Sequence, residues 1–323
     1  MTFKVFIDGA VGTTGLQIRT RLAGRDDITL VSLAEADRKN PVRRREVLNS
    51  VDLVVLCLPD DAAREAVALI DSPSVRVIDA SSAHRIADGW VYGMPEYAAD
   101  QRGKIAVAKR VSNPGCYAIT GVSMLRPLVA DGLIPRDFPV TINAISGYSG
   151  GGKKLISDFE DSESPDYSQD AFRVYGLGLE HKHTEEIRVW SGLDNRPLFV
   201  PSIARFRQGM LVQVPLQLWS LPSKPNPADI QASLAAHYAG FRFVSVATLA
   251  QTSAIGALEP EAANGTNDLR LHVFGNEAQG QAVIIGLIDN LGKGASGQAV
   301  QNINIMLGCD ETAGLEKTVI PAY

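Results

Sequence analysis

Short apolar runs alternate with amphipathic segments along the first third of the chain. The runs are rich in β-branched residues, and one of them is almost wholly apolar, as expected of a strand covered on both faces. Apolar residues at helical spacing predict helices between the runs. The predicted strands are Phe3–Asp8, Ile28–Leu33, Asp52–Leu58, Val75–Ala80 and Lys104–Ala108, and the predicted helices include Gly15–Ala23 and Pro41–Leu48. Strands that alternate with helices in this way predict a parallel, right-handed α/β sheet.

The pattern changes after about residue 138, where the apolar runs become longer and partly alternate with polar residues. These runs predict a mixed or more antiparallel sheet. Its predicted strands are Val140–Ala144, Met210–Leu218, Leu269–Phe274 and Ala282–Ile288. Apolar residues at helical spacing predict a last helix over Ser296–Leu307, which we expect to fold back onto the first domain. The predicted protein is therefore α/β, with a nucleotide-binding domain at 1–115 joined by 296–323, and an α+β domain at 116–295.

Composition and charge narrow the functional classes. The 323 residues carry a formal net charge of −5, which argues against a nucleic-acid binder, since phosphate backbones require clustered Lys and Arg. No apolar run approaches the ~20 residues of a membrane span, and the strand-like Lys4–Ile7 argues against a leader. Cys57, Cys116 and Cys309 are too few and scattered for a disulfide framework or a zinc site. We expect a cytoplasmic protein with a free thiol and without a metal, a nucleic-acid partner or a membrane partner.

A glycine-rich turn follows the first predicted strand directly. Gly9, Gly12 and Gly15 are spaced GxxGxxG, and the turn opens a predicted helix. Glycines permit a tight turn there and let backbone N–H groups approach a pyrophosphate at the positive end of the helix. Thr13 and Thr14 add hydroxyl donors. The position at the first βα junction favours cofactor binding over the alternative, an ordinary strand–helix turn.

Charged residues at the end of the second predicted strand bear on the choice of cofactor. Glu35 stands about where an acid would bind the ribose of NAD. Arg38 and Lys39 follow and can pair with the 2′-phosphate of NADP instead. The alternative is that all three are solvated loop charges. We predict NADP(H).

Cys116 is the strongest candidate for covalent chemistry. Ser112–Cys116 (SNPGC) precedes an apolar helical pattern, so Cys116 is expected in the first turn of a helix that Pro127 limits or kinks. Unpaired N–H groups and the helix dipole stabilise a thiolate there, and a thiolate is both a good nucleophile and a good leaving group. The alternative is a small buried core cysteine. Cys57 and Cys309 fit that alternative.

Two histidines stand close together in the segment 181–187, HKHTEEI. His181 or His183 lies at a predicted loop-to-helix junction, and either imidazole has a pKa suited to acid–base chemistry. The alternative for each is a surface histidine at the start of a helix. Glu186, in the first helical turn, is a candidate substrate contact. The remaining histidines lack supporting context and are interpreted as structural: His84, His237 and His272.

Two loops combine the groups that bind anions. The segment 146–154, SGYSGGGKK, follows a predicted strand, and its candidates for a phosphate or carboxylate are Ser146, Ser149 and Lys153. The alternative is a flexible loop. The segment 81–85, SSAHR, follows another strand at the carboxyl end, where such sheets bind ligands. Its Arg85 can bind a carboxylate through two parallel hydrogen bonds.

Taken together, these segments resemble one known family. The chain resembles the N-acetyl-γ-glutamyl-phosphate reductases of arginine biosynthesis, in their shorter form. The matching segments, in the family's order from residue 5 to about residue 305, are GAVGTTG, DASSAHR, VSNPGCYA, SGYSGGGK, HKHTEEI, PSIARFRQGM and DNLGKGASGQAVQN. The longer relatives usually carry an arginine where Gln208 stands and a smaller residue at the position of Lys153, and both differences fit the short form.

The resemblance implies the fold and the site residues. It implies a Rossmann-type NADP-binding domain, a catalytic and dimerisation domain, and a homodimer or homotetramer. It also implies that Cys116 is the nucleophile and that a histidine of HKHT is the acid–base. His183 is favoured, because the catalytic histidine of the related aspartate-semialdehyde dehydrogenases directly precedes a small hydroxyl residue, while His181 stays open. The Asn290–Gly294 segment resembles the family's second cofactor contact, so Asn290 is a candidate cofactor-binding residue.

The resemblance also implies the reaction. The expected activity is reduction of the small-molecule acyl phosphate N-acetyl-γ-glutamyl phosphate to the semialdehyde, with NADPH and through a thioester on Cys116. One alternative is an aspartate-semialdehyde dehydrogenase, which performs the same chemistry on another acyl group. The other is a non-catalytic NADP-binding regulator, which retention of Cys116 and the histidine pair argues against.

Overall fold

The computed structural model describes residues 2–38 and 40–316. The described chain divides into two compact units. One unit holds residues 2–38, 40–115 and 295–316, and the other is Cys116–Gly294. Lys39 and residues 317–323, the end of the segment predicted to return to the first domain, lie outside the described residues.

A parallel six-stranded sheet forms the centre of the first unit. Its strands are β1 (Phe3–Asp8), β2 (Ile28–Val31), β3 (Leu53–Leu56), β4 (Arg76–Asp79), β5 (Val91–Tyr92) and β6 (Arg110–Ser112). Their order is β2-β1-β3-β4-β6-β5, and all neighbours run parallel. Four helices lie between strands: α1 (Thr13–Leu22), α2 (Pro41–Leu48), α3 (Asp60–Ala68) and α4 (Gln101–Val107). The predicted parallel α/β sheet is confirmed.

The strand predicted over Lys104–Ala108 is wrong, because most of this segment is the end of α4. Gln101 and Ile105, one helical turn apart, are the buried residues of this helix, so its apolar pattern is helical rather than alternating. The Arg76 side chain donates hydrogen bonds to carbonyl oxygens of the last turn and so satisfies groups that a helix end leaves unpaired. Sequence analysis missed the short strands β5 and β6.

The second unit is built on a mixed seven-stranded sheet. Its strands are β7 (Thr141–Gly147), β8 (Phe172–Val174), β9 (Leu198–Ala204), β10 (Met210–Gln217), β11 (Val244–Val246), β12 (Leu269–Asn276) and β13 (Gln281–Ile288). The order is β11-β12-β13-β10-β7-β9-β8. β7 pairs with β9, and β11 with β12, in parallel, while the other neighbours are antiparallel. The helices are α5 (Cys116–Ala130), α6 (Gly152–Glu160), α7 (Lys182–Ser191), α8 (Pro227–His237) and α9 (Leu249–Ser253).

Helix α5 continues past the proline that was expected to limit or kink it. Pro127 lacks an N–H, so the carbonyl oxygen of Ser123 loses its usual helical donor. The Tyr238 hydroxyl replaces that donor, at 2.9 Å from the Ser123 oxygen. The helix therefore runs three residues beyond Pro127, and nearly all of its residues are buried.

The last helix, α10 (Gly297–Leu307), belongs to the first unit, as predicted. Besides its apolar residues it buries four amide side chains, which sequence periodicity places on the polar face: Gln298, Gln301, Asn302 and Asn304. Three of these amides, Gln301, Asn302 and Asn304, bond to other parts of the unit, while Gln298 Nε2 donates to Asn302 Oδ1 within the helix, at 3.5 Å. For example, Asn302 Nδ2 donates to the carbonyl oxygen of Gly93 at 2.9 Å. Because buried amides are tolerated when they are hydrogen-bonded, α10 can bury its polar face as well as its apolar face. Among residues 2–38 and 40–316, no helix is long and apolar enough to cross a bilayer.

Candidate active site

A cavity of about 950 Å³ in the second unit contains most of the predicted reactive groups. It is lined by residues of α5, the β7 end, α6, the 165–175 segment and the start of α7. Its reactive and polar lining includes Cys116, Tyr117, Ser146, Lys154, Asp158, Asp166, Arg173, Tyr175, His181, Lys182 and His183. The cysteine and both histidines of HKHT thus line one cavity, although more than 60 residues of chain separate them.

Cys116 is the first residue of α5, as the sequence predicted. Gly294 lies against it so closely that a Cβ added at Gly294 would be 2.8 Å from Cys116 Cβ. The other two cysteines lie in the first unit, and burial raises the pKa of both thiols, that of Cys57 to about 12. Cys57 is therefore a neutral thiol at pH 7, and the helix start distinguishes Cys116 from both.

The two histidines of the cavity have different hydrogen-bonding roles. His181 is the N-cap of α7, and its Nδ1 accepts the backbone N–H of His183 at 3.2 Å. This bond requires an unprotonated Nδ1, so the neutral His181 ring carries its proton on Nε2. His183, the second residue of α7, is buried, and its ring centre lies 4.8 Å from that of His181. Capping by an imidazole was not foreseen, since Ser, Thr, Asp and Asn are the usual caps.

Two tyrosines that sequence analysis missed stand beside the cysteine and the histidines. The Tyr175 hydroxyl donates to the Tyr117 hydroxyl at 3.0 Å. Burial raises the pKa of Tyr117 well above its usual value and that of Tyr175 to about 12. Both hydroxyls therefore keep their protons at pH 7. The position of Tyr117, directly after the candidate nucleophile, was the available sequence signal.

The cations of the cavity differ from those predicted. Lys154 lines it, whereas its neighbour Lys153, the predicted residue, does not, and both lysines are exposed. Lys154 Nζ lies 3.0 Å from a carboxylate oxygen of Asp158 and 2.6 Å from one of Asp166. Arg173 also lines the cavity and was missed, because it lies in a short, weakly patterned segment.

The other predicted substrate contacts have different positions. Ser146 lines the cavity, while Ser149 and Glu186 are buried and do not. Ser149 Oγ accepts a hydrogen bond from Asn290 Nδ2 at 3.2 Å. Arg85 lies in the first unit, where its Nε donates to the carbonyl oxygen of Asn113 at 3.2 Å. Its guanidinium therefore contacts the backbone.

A buried carboxylate organises the turn that packs on Cys116. Asp289, with no exposed surface, accepts the backbone N–H groups of Leu291 and Gly292, each at 2.9 Å. Gln208 Nε2 also donates to it, at 2.6 and 2.7 Å. The Asp289 carbonyl oxygen in turn accepts the N–H of Gly294 at 3.0 Å. Asp289 was not recognised from the sequence, although it directly precedes the predicted cofactor segment.

Asn290, the predicted cofactor contact of this turn, is 1% exposed. Its Oδ1 accepts the N–H of Gly209 at 2.8 Å, and its Nδ2 reaches Ser149. The amide thus joins three loops of the second unit. A cofactor role for Asn290 stays a prediction.

A second cavity, of about 260 Å³, lies in the first unit beside the glycine-rich turn. Its lining includes Gly9, Ala10, Val11, Arg19, Ser32, Leu33, Arg38 and Leu58. Gly9 has a φ of +87°, and a Cβ there would lie 2.3 Å from the carbonyl oxygen of Cys57. At Gly15 a Cβ would lie 2.5 Å from the carbonyl oxygen of Gly9. Glycine is therefore required at both positions for this tight turn.

The turn and its cavity fit a dinucleotide. Gly12 is the N-cap of α1, and Thr13 and Thr14 form its first turn, where backbone N–H groups bind phosphate. Thr13 Oγ1 is buried and has no hydrogen-bond partner within the described chain. Buried hydroxyls are normally hydrogen-bonded, so this one is suited to bind a ligand. Arg38 lines the cavity and Glu35 does not, which fits a 2′-phosphate better than a free ribose. Lys39, the other predicted cation, is outside the described residues.

The histidines interpreted as structural lie outside the catalytic cavity. His84 Nδ1 is 2.6 Å from Asp79 Oδ2, and its ring stacks on Trp90 at 4.2 Å. His272 is in β12, where burial lowers its pKa. His237 ends α8. Their environments fit packing roles.

Comparison with known proteins connects both units to one family. Residues 4–105 match the family described as semialdehyde dehydrogenase, NAD binding domain. Residues 116–290 match the semialdehyde dehydrogenase dimerisation domain. The chain is similar to the N-acetyl-gamma-glutamyl-phosphate reductase of Burkholderia lata, with 54% identity over 96% of this chain and 98% of that protein. It is 52% identical to N-acetyl-gamma-glutamyl-phosphate reductase 2 of a Nostoc species, over 97% and 99% of the two chains.

Solved structures share the fold at low sequence identity. Aspartate semialdehyde dehydrogenase II from Vibrio cholerae aligns with a TM-score of 0.69 and 17% identity, over 95% of this chain and 99% of that one. The Candida albicans aspartate semialdehyde dehydrogenase, solved with NADP, aligns with a TM-score of 0.62 and 14% identity, over 95% and 99%. At this identity the likeness supports the fold alone.

Proposed function

This chain belongs to the semialdehyde dehydrogenase family and, within it, to the N-acetyl-γ-glutamyl-phosphate reductases, and we propose that it reduces N-acetyl-γ-glutamyl phosphate to N-acetylglutamate semialdehyde. The reductant is NADPH, the coproduct is phosphate, and the reaction belongs to arginine biosynthesis. The observation that carries the proposal is the common cavity of Cys116, His181 and His183 in a chain 54% identical to a reductase.

Cys116 is the proposed nucleophile. Its thiolate attacks the acyl carbon, the carbon–oxygen bond to phosphate breaks, and a thioester forms as phosphate leaves. The position at the start of α5 supports this role, since the helix end stabilises a thiolate. The backbone N–H groups of the first turn are candidates to stabilise the oxyanion of each tetrahedral state.

When bound, NADPH would supply the hydride for reduction of the thioester carbon. Gly9, Gly12 and Gly15, with the hydroxyls of Thr13 and Thr14, would hold its pyrophosphate. Arg38 would pair with the 2′-phosphate, and Lys39 is a further candidate for that pairing. The Asn290–Gly294 turn is the proposed second cofactor contact. The lining of the first unit's cavity supports this assignment.

His183 is the proposed acid–base residue. Reduction of the thioester leaves an alkoxide at the former carbonyl, which takes a proton, and that proton must leave again as the aldehyde forms and the carbon–sulfur bond breaks. His181 is less suited to this relay, because protonation of its Nδ1 would break the bond that caps α7. We expect His183→Asn to lower kcat by 10²-fold or more, the usual contribution of a general acid–base. His181→Asn keeps a capping side chain and should retain more activity.

The reverse reaction tests the proposal directly. The wild type should reduce NADP with N-acetylglutamate semialdehyde only when phosphate is present, and should not do so with aspartate semialdehyde. Cys116→Ser should abolish turnover while NADPH binding, followed by fluorescence, stays nearly unchanged. Activity with aspartate semialdehyde alone would overturn the substrate assignment. Inactivity with both, together with normal NADPH binding, would favour a regulatory protein.

The assembly and location of the protein are part of the proposal. We expect a cytoplasmic homodimer or homotetramer with no nucleic-acid or membrane partner. The match of residues 116–290 to a dimerisation domain supports self-association. Light scattering coupled to gel filtration measures it, and a monomer at micromolar concentration would contradict it.

A further inference from the structure

Arg173 is a cation of the catalytic cavity that no step of the mechanism uses. It belongs to a row of three residues on neighbouring strands that line the same cavity as Cys116. In the sheet of the second unit, Ser146 of β7 is level with Ile203 of β9, and Ile203 is level with Arg173 of β8. All three line the catalytic cavity. Residues level across neighbouring strands point to the same face. Two strand spacings place Arg173 about 10 Å from Ser146 along the cavity floor.

The hydrogen-bonded Tyr117 and Tyr175 also lie between Arg173 and Cys116 in the sequence of contacts along the cavity. Arg173 and Tyr175 are two residues apart, and both line the cavity. Along an extended chain that spacing is about 7 Å. The Tyr175 hydroxyl bonds to that of Tyr117, which directly follows Cys116. Arg173 therefore lies two residues from Tyr175, whose hydroxyl bonds to the residue that follows the thiol.

Within residues 2–38 and 40–316, the guanidinium of Arg173 is supported by an aromatic ring and has no carboxylate within hydrogen-bonding distance. Its carbon lies 5.0 Å from the centre of the Phe159 ring, on which it stacks. The nearby carboxylate is that of Asp170, whose Oδ2 lies 3.9 Å from Arg173 Nη1, beyond hydrogen-bonding distance. The side chain is 37% exposed. By contrast, Lys154 in the same cavity bonds to two carboxylates at 3.0 Å or less.

We infer that Arg173 binds the α-carboxylate of the substrate and so selects a glutamyl rather than a simple acyl chain. This inference rests on the proposed function. In that substrate the α-carboxylate is four carbon–carbon bonds from the reacting carbon, roughly 5 Å when extended. Such a chain, bonded to Cys116, directs its carboxylate along the cavity toward Arg173. A planar guanidinium with an aromatic support is suited to paired hydrogen bonds with a carboxylate.

The departing phosphate is the other anion that a guanidinium could bind. The two sources are separable, because the reverse assay varies the semialdehyde and phosphate independently. We expect Arg173→Leu to raise the KM for N-acetylglutamate semialdehyde by about 10- to 100-fold, the effect of losing a charge-assisted bond. The KM for phosphate should not change, and kcat should change little, because ground and transition states share this contact.

A substrate without the carboxylate makes the test specific. The wild type should favour N-acetylglutamate semialdehyde over 4-acetamidobutanal, which lacks the α-carboxylate, and Arg173→Leu should lose most of that preference. Arg173→Lys should recover part of it, since the charge returns without the planar fork. Arg205→Leu is the matched control, because Arg205 also lies over Phe159, at 5.8 Å, but does not line the cavity. Its kinetics should stay close to those of the wild type.

Protection of the thiol provides a readout that does not need turnover. N-Acetylglutamate should slow alkylation of Cys116 by iodoacetamide, and Arg173→Leu should need about 10- to 100-fold more of it for the same protection. A rise in phosphate KM instead, equal losses on both aldehydes, or unchanged protection would each overturn the inference. An inactive wild type would refute the proposed function, and the protection assay would still decide the role of Arg173.

Discussion

Gly294→Ala tests how closely the 289–294 turn positions the thiol of Cys116. An added Cβ would lie 2.8 Å from Cys116 Cβ and 3.3 Å from its Cα. Carbon atoms prefer separations of about 3.5 to 4.0 Å, so one side must move by roughly 0.7 to 1.2 Å. Neither side moves easily. Helix α5 is buried, and the carboxylate of Asp289 holds the turn.

The expected result is a loss of rate that exceeds any loss of cofactor affinity. A displacement of about 1 Å at a reacting atom costs about 10²-fold, so we expect kcat to fall by 10- to 100-fold. NADPH affinity of the variant should fall less than kcat, because the glycine-rich turn proposed to hold the pyrophosphate is untouched, although Gly294 belongs to the proposed second cofactor contact. The reverse assay measures kcat, and fluorescence measures NADPH binding.

The matched control is Gly256→Ala. Gly256 belongs to the same unit, and a Cβ there would meet no atom within 4 Å. This variant should keep wild-type kcat and melting temperature. If Gly294→Ala also keeps full kcat and melts normally, the contact with Cys116 does not position the thiol, and the reasoning is wrong.

Further predictions concern the cofactor turn, the start of α7 and thiol chemistry. Gly9→Ala should weaken NADPH binding at least about tenfold, because its Cβ would clash with a backbone oxygen, while Gly24→Ala, also at positive φ but in open space, carries only the backbone strain. Glu185 has a pKa lowered to about 2, chiefly by its hydrogen bond with Arg188. Its contribution to stability, on the order of 1 kcal/mol, is present above pH 4.5 and lost as the pH falls through about 2. The difference in melting temperature between the wild type and Glu185→Gln should therefore shrink toward pH 2, and a constant difference would contradict this reasoning. At pH 8, peptide mass spectrometry should find iodoacetamide on Cys116 long before Cys57, whose pKa is about 12.

Sequence patterns correctly predicted those strands and turns whose structure depends on residues a few positions apart. The buried runs of β1 and β3 and the glycine-rich turn have residue patterns that few other structures accommodate. The position of Cys116 in the first turn of α5 was likewise predicted. The strand predicted over the segment 104–108 was wrong, because five mostly apolar residues fit a strand and a buried helical turn equally well. Only the surrounding unit, with Arg76 bonded to the end of α4, distinguishes the two.

Local sequence features indicated which chemical groups the chain carries and in which local settings. A thiol at a helix start, an imidazole pair at another and a glycine turn after the first strand are local features, since each depends on residues a few positions apart. Which side chains share the cavity depends on the folded arrangement of distant segments. Arg173 lies level with Ser146 through strand register, and Lys154 rather than Lys153 lines the cavity. These side chains meet in one cavity because strands distant in the sequence pair with each other, and no local sequence pattern specifies that pairing.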